Sequence, residues 1–319
     1  MTTTERRPLG PTGVEIAPLV LGAMNFGDPT PPDESVAILE RAIDAGITLI
    51  DIADVYAGGA SERIVGDALA ANGKRDDVLL ATKVGLPRGD GPPDTWHRRE
   101  HIVASCERSL RALQTDRIDL YQSHDDDGAT PLDETLATFA ELIAEGKVRA
   151  IGASNYSAPR LAEALATSAR LGLPRYETLQ PHYNLMDRAV YEAALEPLCR
   201  AEGLGVVNFY GLAKGFLSGK YRSAADLTKS PRGGGIKGYL NDRGHAVLAA
   251  LDAVAQAHGS TPAQVALAWQ IARPGLTAPI VSATSTAQWA ELAGAARLAL
   301  SAADIATLNA ASTEAGATA

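Results

Sequence analysis

The chain has 319 residues, 46% of them hydrophobic and 21% charged, and carries a net charge of −9. That length exceeds an ordinary domain but suits an α/β barrel with an ample core. The cations are scattered among carboxylates, which excludes a nucleic-acid surface, and two cysteines are too few for a disulfide framework or a zinc site.

At the amino end, Arg6-Arg7 is followed by Pro8-Leu9-Gly10-Pro11 and not by an apolar stretch. The longest apolar run, Ala17 to Met24, is broken by Pro18 and Gly22. Neither an export signal nor a membrane span is expected, and the expected location is the cytoplasm. The Pro11-Thr12-Gly13 turn predicts a hairpin closing the floor of a barrel. Beyond it, short β-rich runs alternate with helical patterns, as in βα units around a parallel sheet. Strands are predicted near 18–22, 47–50, 78–82 and 118–123, with helices near 33–45, 61–72 and 99–113. In the last of these helices Cys106 shares a stripe with Ile102, Leu110 and Leu113, the pattern of a core thiol.

The next unit predicts Thr130 as a helix cap, Pro131 at the first helical position and Asp133 as a capping-box partner. Leu132, Leu136, Phe139, Leu142 and Ile143 repeat at helical spacing up to Gly146, and a strand near 148–153 follows. Strands near 176–180, 205–209 and 278–281 complete the set, with helices near 157–171, 187–202, 244–258 and 287–296 and an extra one near 262–272. Eight such pairs predict one (β/α)8 TIM barrel spanning 1–319, although a doubly wound open sheet gives a similar alternation. The segments 84–98 and 213–242, the latter with Gly233-Gly234-Gly235, are long loops for the carboxyl-terminal rim, of the kind that serve as lids.

In such barrels chemistry sits where the strands end. Those positions hold Asp51, Lys83, His124, Ser154-Asn155, Gln180, Tyr210 and Ser282 to Ser285, with Tyr56 just beyond the second strand. Singly, each has a plain structural explanation. Together, consecutive strands bring a carboxylate, an ammonium and an imidazole to one rim beside a phenol.

The segment Asp51-Ile52-Ala53-Asp54-Val55-Tyr56, with Gly46-Ile47-Thr48 before it and Ser61-Glu62 after it, resembles the signature of the aldo-keto reductases. Ala81-Thr82-Lys83-Val84, Asp119 to His124, Gly146 to Asn155 and Gln180 to Asn184 are similar to further motifs of that family, in the family's order. The resemblance runs from about Gly10 to Leu308. It implies a catalytic tetrad of Asp51, Tyr56, Lys83 and His124, and a nicotinamide cofactor, NADPH by default with NAD possible. It also implies that Ser154, Asn155 and Gln180 hold the carboxamide and that Tyr210 stacks on the nicotinamide ring. Gly211, Leu212, Lys214, Gly215 and Lys220, then Ser282, Thr284, Gln288 and Glu291, would enclose the pyrophosphate and the adenosine phosphate. The implied partner is a small carbonyl or alcohol, with a sugar carbonyl among the possibilities. Oligomeric state is not legible.

The chemistry of the tetrad can be argued independently. Hydride addition to a carbonyl leaves an alkoxide that needs a proton, so an acid must stand beside the oxygen. A free tyrosine, with a pKa near ~10, exchanges protons poorly at neutral pH. An ammonium ~4 Å away favours the phenolate by ~4 kcal/mol at an effective dielectric of ~20, up to ~3 pKa units before burial opposes it. Lys83 would supply that charge, Asp51 would hold Lys83, and His124 would polarise the carbonyl.

The chain departs from the family's habits at several points. Gly211 stands where a serine is common, and Asn208 near where a proline or alanine is usual. Neutral Ser282, Thr284 and Gln288 stand where relatives often carry a cation for the 2′-phosphate, and Leu292 where an asparagine often meets adenine. Asp125-Asp126-Asp127 is either a solvated loop or a feature selecting polyhydroxylated or cationic substrates. The glycines of 233–238 match a dinucleotide fingerprint, but without a preceding strand. Gly215 to Lys220 is one residue short of a phosphate loop. Two rivals remain: a barrel lyase using Lys83 as a Schiff-base nucleophile, and a cofactor-binding redox sensor.

Overall fold

The computed structural model describes residues 5–87, 96–229 and 231–313. An antiparallel pair, β1 (Arg7–Pro8) and β2 (Glu15–Ile16), precedes the barrel strands. These are β3 (Val20–Gly22), β4 (Leu49–Asp51), β5 (Leu79–Val84), β6 (Ile118–Ser123), β7 (Val148–Ser154), β8 (Tyr176–Gln180), β9 (Gly205–Asn208) and β10 (Ala278–Val281). They form a closed parallel barrel in the order β10-β3-β4-β5-β6-β7-β8-β9. Closure excludes the open-sheet alternative.

The helices are α1 (Pro32–Asp44), α2 (Ala60–Asn72), α3 (Arg99–Leu113), α4 (Leu132–Ala144), α5 (Ala158–Leu171), α6 (Glu196–Glu202), α7 (Asp242–His258), α8 (Pro262–Ile271), α9 (Thr286–Ala293) and α10 (Ala302–Ser312). The periodic stripes do what periodicity requires: Ile102, Cys106, Leu110 and Leu113 of α3 are all buried. Burial pushes the Cys106 thiol up to about 12, so it is an inert core group.

Side chains inside the barrel form an apolar floor. Leu49, Ala81, Leu120, Val207, Ala278 and Ile280 meet there, sealed from below by Leu9 and Ile16 of the hairpin. Gly10 makes that seal possible, because a Cβ there would lie 2.5 Å from the backbone nitrogen of Gly205. One layer higher the interior turns polar, with Asp51, Lys83 and Gln122. In β8 the register slips, Ile151 pairing with Tyr176 and the next residue, Gly152, with Thr178. This extra residue lets Tyr176 face outward onto Phe139 and Tyr156 while Gln180 faces inward.

Four local expectations change. Pro131, not Thr130, is the cap residue of α4, and Thr130 instead donates its hydroxyl to Asp127 Oδ2 at 2.6 Å. The helix near 187–202 opens with a π-turn at Tyr191–Leu195, where Pro197 lacks the N–H that regular helical bonding needs. The described residues of segment 213–242 include three 3-10 stretches, and Phe216, Leu217, Tyr221 and Ile236 are buried. The terminal α10 was not expected. Most of 84–98 lies outside the described residues. Among the described residues, no helix is long and apolar enough to cross a membrane.

Candidate active site

The strand ends bring the four residues of the expected tetrad together, and three of them, Asp51, Lys83 and Tyr56, form one bonded unit. Asp51 closes β4, Lys83 is the penultimate residue of β5, and His124 follows β6 directly. Tyr56 stands on a tight turn whose next residue, Ala57, adopts a left-handed conformation at φ 48°. The fully buried Lys83 Nζ donates to Asp51 Oδ2 at 2.8 Å, to the Ile52 carbonyl at 2.7 Å and to Tyr56 OH at 3.2 Å. An ammonium has three protons, and these three acceptors use them all. The Tyr56 and His124 rings meet edge to face at 5.8 Å.

The electrostatics follow from burial and from that ion pair. Burial alone would lower Lys83, but Asp51 and Tyr56 outweigh it and hold the ammonium above its usual value. His124 is driven down to about 3, chiefly by burial and then by Lys83, so its ring is neutral at neutral pH. At Tyr56 the balance runs opposite to the shift expected from Lys83 alone. Burial, aided by Asp51, exceeds the pull of Lys83, and the phenol sits above its ordinary value.

A cavity of about 420 Å³ opens beside this unit. Its lining divides by sector. Over β3 to β6 it is Gly22, Met24, Asp51, Val55, Tyr56, Leu86 and His124, with Met24, Val55 and Leu86 as its apolar members. Over β7 to β10 it carries more polar and cationic groups, Ser154, Asn155, Gln180, Tyr210, Gly211, Lys214, Gly215, Lys220, Ser282 and Gln288, alongside Phe209, Leu212, Ile280 and Val281. Of the residues expected to hold a cofactor, Thr284 and Glu291 lie outside the lining. Gln288 turns its Oε1 back to accept from Thr284 N at 2.8 Å. Gly22 forms part of the floor, where a Cβ would stand 2.6 Å from Ser282 Oγ.

The polar sector is held under strain. Asn155, at φ 57°, donates its amide to the His124 carbonyl at 2.9 Å. Tyr210, Ala213 and Lys214 are also left-handed, at 54°, 48° and 57°. Non-glycine residues persist in that region only when their surroundings hold them there. Here Asn184 Nδ2 and Ala213 N both donate to the Tyr210 carbonyl, at 3.0 and 2.7 Å, and Lys214 Nζ lies 5.4 Å from the centre of the Tyr210 ring. Asn184 also donates to Asp187, which accepts the Tyr239 hydroxyl at 2.7 Å. The end of the 213–242 segment is thereby tied to the Tyr210 turn.

The acidic cluster is a half-exposed loop in which two of the three carboxylates are engaged. Asp126 pairs with Arg160 at 2.9 Å, and Asp127 accepts from Thr130, Ala129 and the His97 backbone. Sequence reasoning missed Met24, Val55, Leu86 and Phe209 as lining residues, since only polar strand-end positions were read. It also missed the bond from Gln180 Nε2 to Asp51 Oδ1, 2.7 Å long. Among the described residues no cluster could hold a metal ion.

Residues 18–313 match the model of the aldo/keto reductase family. The chain is 36% identical over 293 residues to an uncharacterized oxidoreductase, YrpG, of Bacillus subtilis (strain 168), covering 88% of this chain and 87% of that protein. It is 32% identical over 289 residues to a probable voltage-gated potassium channel subunit beta of Arabidopsis thaliana, covering 88% and 87%. It is 31% identical over 317 residues to a probable aldo-keto reductase 1 of Glycine max, covering 96% and 88%. With a closed barrel, a bonded carboxylate–ammonium–phenol unit at its mouth and a family match across nearly its whole described length, the chain belongs to the aldo/keto reductase family and is an oxidoreductase.

Proposed function

We propose that the protein reduces an aldehyde or ketone to the alcohol, or runs the reverse reaction, using a nicotinamide cofactor, with NADPH preferred and NADH accepted. The observation that carries this reading is the single ammonium of Lys83 shared between Asp51 and Tyr56 at the edge of the cavity. A dinucleotide fits the polar sector: Gly22 leaves a floor that any side chain would fill, Tyr210 offers a ring face, and Lys214 and Lys220 offer charge for phosphates. Ser154, Asn155 and Gln180 would hold its carboxamide.

A bound nicotinamide supplies or accepts the hydride. The chain's own residues do the rest. His124, neutral at working pH, hydrogen-bonds the carbonyl oxygen and orients it towards Tyr56. Tyr56 gives its proton to that oxygen as negative charge develops there, and Lys83 stabilises the phenolate left behind. Asp51 keeps Lys83 charged and in place. Met24, Val55 and Leu86 favour an uncharged, apolar carbonyl over a sugar, because they offer no partners for hydroxyl groups.

The Schiff-base alternative is disfavoured, since a lysine held charged by three acceptors has no lone pair for a carbonyl. Two relatives are named as probable voltage-gated potassium channel subunits beta and not as enzymes, which keeps a second reading open, a cofactor-binding protein that senses redox state. Turnover separates the two. Tyr56→Phe should lower carbonyl reduction by roughly 10²–10⁴-fold while cofactor affinity stays within a few-fold. Full activity in the folded variant would remove Tyr56 as proton donor. Slow single turnover without steady-state catalysis in the wild type would favour the sensor.

A further inference from the structure

Gln180 ends β8 and Asp51 ends β4, strands that stand on opposite sides of the closed barrel. The glutamine side chain crosses the mouth, and its Nε2 donates to Asp51 Oδ1 at 2.7 Å. Chemistry fixes which way the amide points. An ion-paired carboxylate only accepts, so the amide nitrogen must face Asp51 and the amide oxygen is left for the cavity. Asp51 thus has a donor on each oxygen, Lys83 on one and Gln180 on the other. Ser154 Oγ donates to the Gln180 carbonyl at 3.0 Å, steadying the backbone from which the side chain reaches. Gln180 is 3% exposed and lines the polar sector, whereas its hydrogen-bond partner belongs to the proton-donating unit.

We propose that Gln180 is a positioning residue for the proton donor: by holding Asp51 Oδ1 it sets how Asp51 shares Lys83 with Tyr56, and through its Oε1 it couples that sharing to occupancy of the polar sector. The inference rests on the reductase reading above, since it concerns the acidity of Tyr56.

The charged and titratable groups around Tyr56 are Lys83, Asp51, Tyr210 and the His124 ring, of which Gln180 bonds Asp51 alone. A hydrogen bond from Gln180 draws charge out of Asp51, so Asp51 claims less of the Lys83 ammonium and more of its field reaches the phenol. Without that bond, Asp51 holds Lys83 harder and Tyr56 becomes a weaker acid. Gln180 Oε1 has only lone pairs, so a ligand that meets it must donate, as a carboxamide NH₂ does. Such a donor polarises the amide and strengthens its bond to Asp51. Filling the cofactor sector therefore makes Tyr56 more acidic, and the proton donor is readied by the binding event.

Ionisation of Tyr56 can be followed without turnover, as the phenolate absorbance difference between each chain and its Tyr56→Phe counterpart during a pH titration. Gln180→Met keeps the length and removes the donor. Gln180→Glu keeps the shape, so it guards against misfolding, and adds negative charge beside Asp51. Tyr56 should titrate about half a unit or more higher in Gln180→Met, and higher still in Gln180→Glu. In carbonyl reduction the alkaline limb should move the same way, with kcat falling several-fold and cofactor Kd changing less. An unchanged phenol titration in the folded variants, with the loss confined to cofactor Kd, would overturn the proposal. A wild-type chain that reduces no carbonyl would instead sink the reductase reading, and the titration would still decide whether Gln180 acts on Tyr56.

Discussion

Removing the ammonium by Lys83→Met exposes the energetics of the site. Lys83 Nζ lies 3.2 Å from Tyr56 OH. Opposite charges at that separation attract by ~5 kcal/mol at an effective dielectric of ~20, a ceiling of ~4 pKa units. Burial already holds the phenol above its ordinary value, so loss of Lys83 raises it further. Reduction at neutral pH should then fall by roughly 10²-fold or more, and its alkaline limb should move to higher pH. The fold pays separately, because Asp51 is left buried without its cation, at about 3–5 kcal/mol. In the wild type that pairing holds the folded-state pKa of Lys83 above 10.5, so its stability is complete below 10.5 and lost only as pH rises through the higher folded value. The assay is a pH–rate profile with a thermal melt for Lys83→Met and for Asp51→Asn/Lys83→Met. The double variant should recover much of the melting temperature but none of the rate. An alkaline limb unmoved in Lys83→Met would refute the electrostatic argument and leave Lys83 structural.

His124 gives a stability signature of opposite sense. Its folded-state pKa of about 3 lies below the ordinary 6.5, so stability is complete above 6.5 and is lost as pH falls towards 3, at most by roughly 5 kcal/mol. Urea melts across that range should show a shallower slope in His124→Gln, and an identical slope would contradict the assignment. NADPH should bind more tightly than NADH by a modest margin, since Ser282, Thr284 and Gln288 are neutral; fluorescence titration reads this, and a clear NADH preference would reverse it. Residues 213–229 and 231–242 should gain hydrogen-exchange protection with NADPH, because Tyr239 is tied through Asp187 and Asn184 to the Tyr210 turn. Equal protection in both states would end the idea that this segment closes over the cofactor.

The barrel was legible because each strand and helix announces itself by period and punctuation. Leu132, Leu136, Phe139 and Leu142 could hardly face a core in any other way. The terminal helix escaped because few of its residues are buried, Leu308 and Ser312 among them, so periodicity is faint. Its capping box at Ser301 and Asp304 was the available signal. The strand-end reading found the polar residues around the cavity but not Met24, Val55 or Leu86, whose apolar character looks the same in a pocket wall as in a core. Nor could sequence show that burial outweighs Lys83 at Tyr56. Both act at short range, and their difference depends on how much water the fold removes. The Thr130 cap failed for a related reason: a hydroxyl that can cap a helix can equally bond a neighbouring carboxylate, and here it bonds Asp127.

The left-handed backbone at Tyr210, Ala213 and Lys214 bears on how this protein tolerates redesign. Each such residue costs on the order of 1–3 kcal/mol. Glycine would relieve that cost at any of the three, so a search guided by melting temperature alone would be drawn to this turn. It would remove a ring face and an ammonium from the cavity wall as it went. Thermal tolerance and cofactor grip are set against each other here, within five consecutive residues. Among the described residues, those of the helical shell and barrel floor that lie outside the cavity lining can be changed for stability without altering its wall.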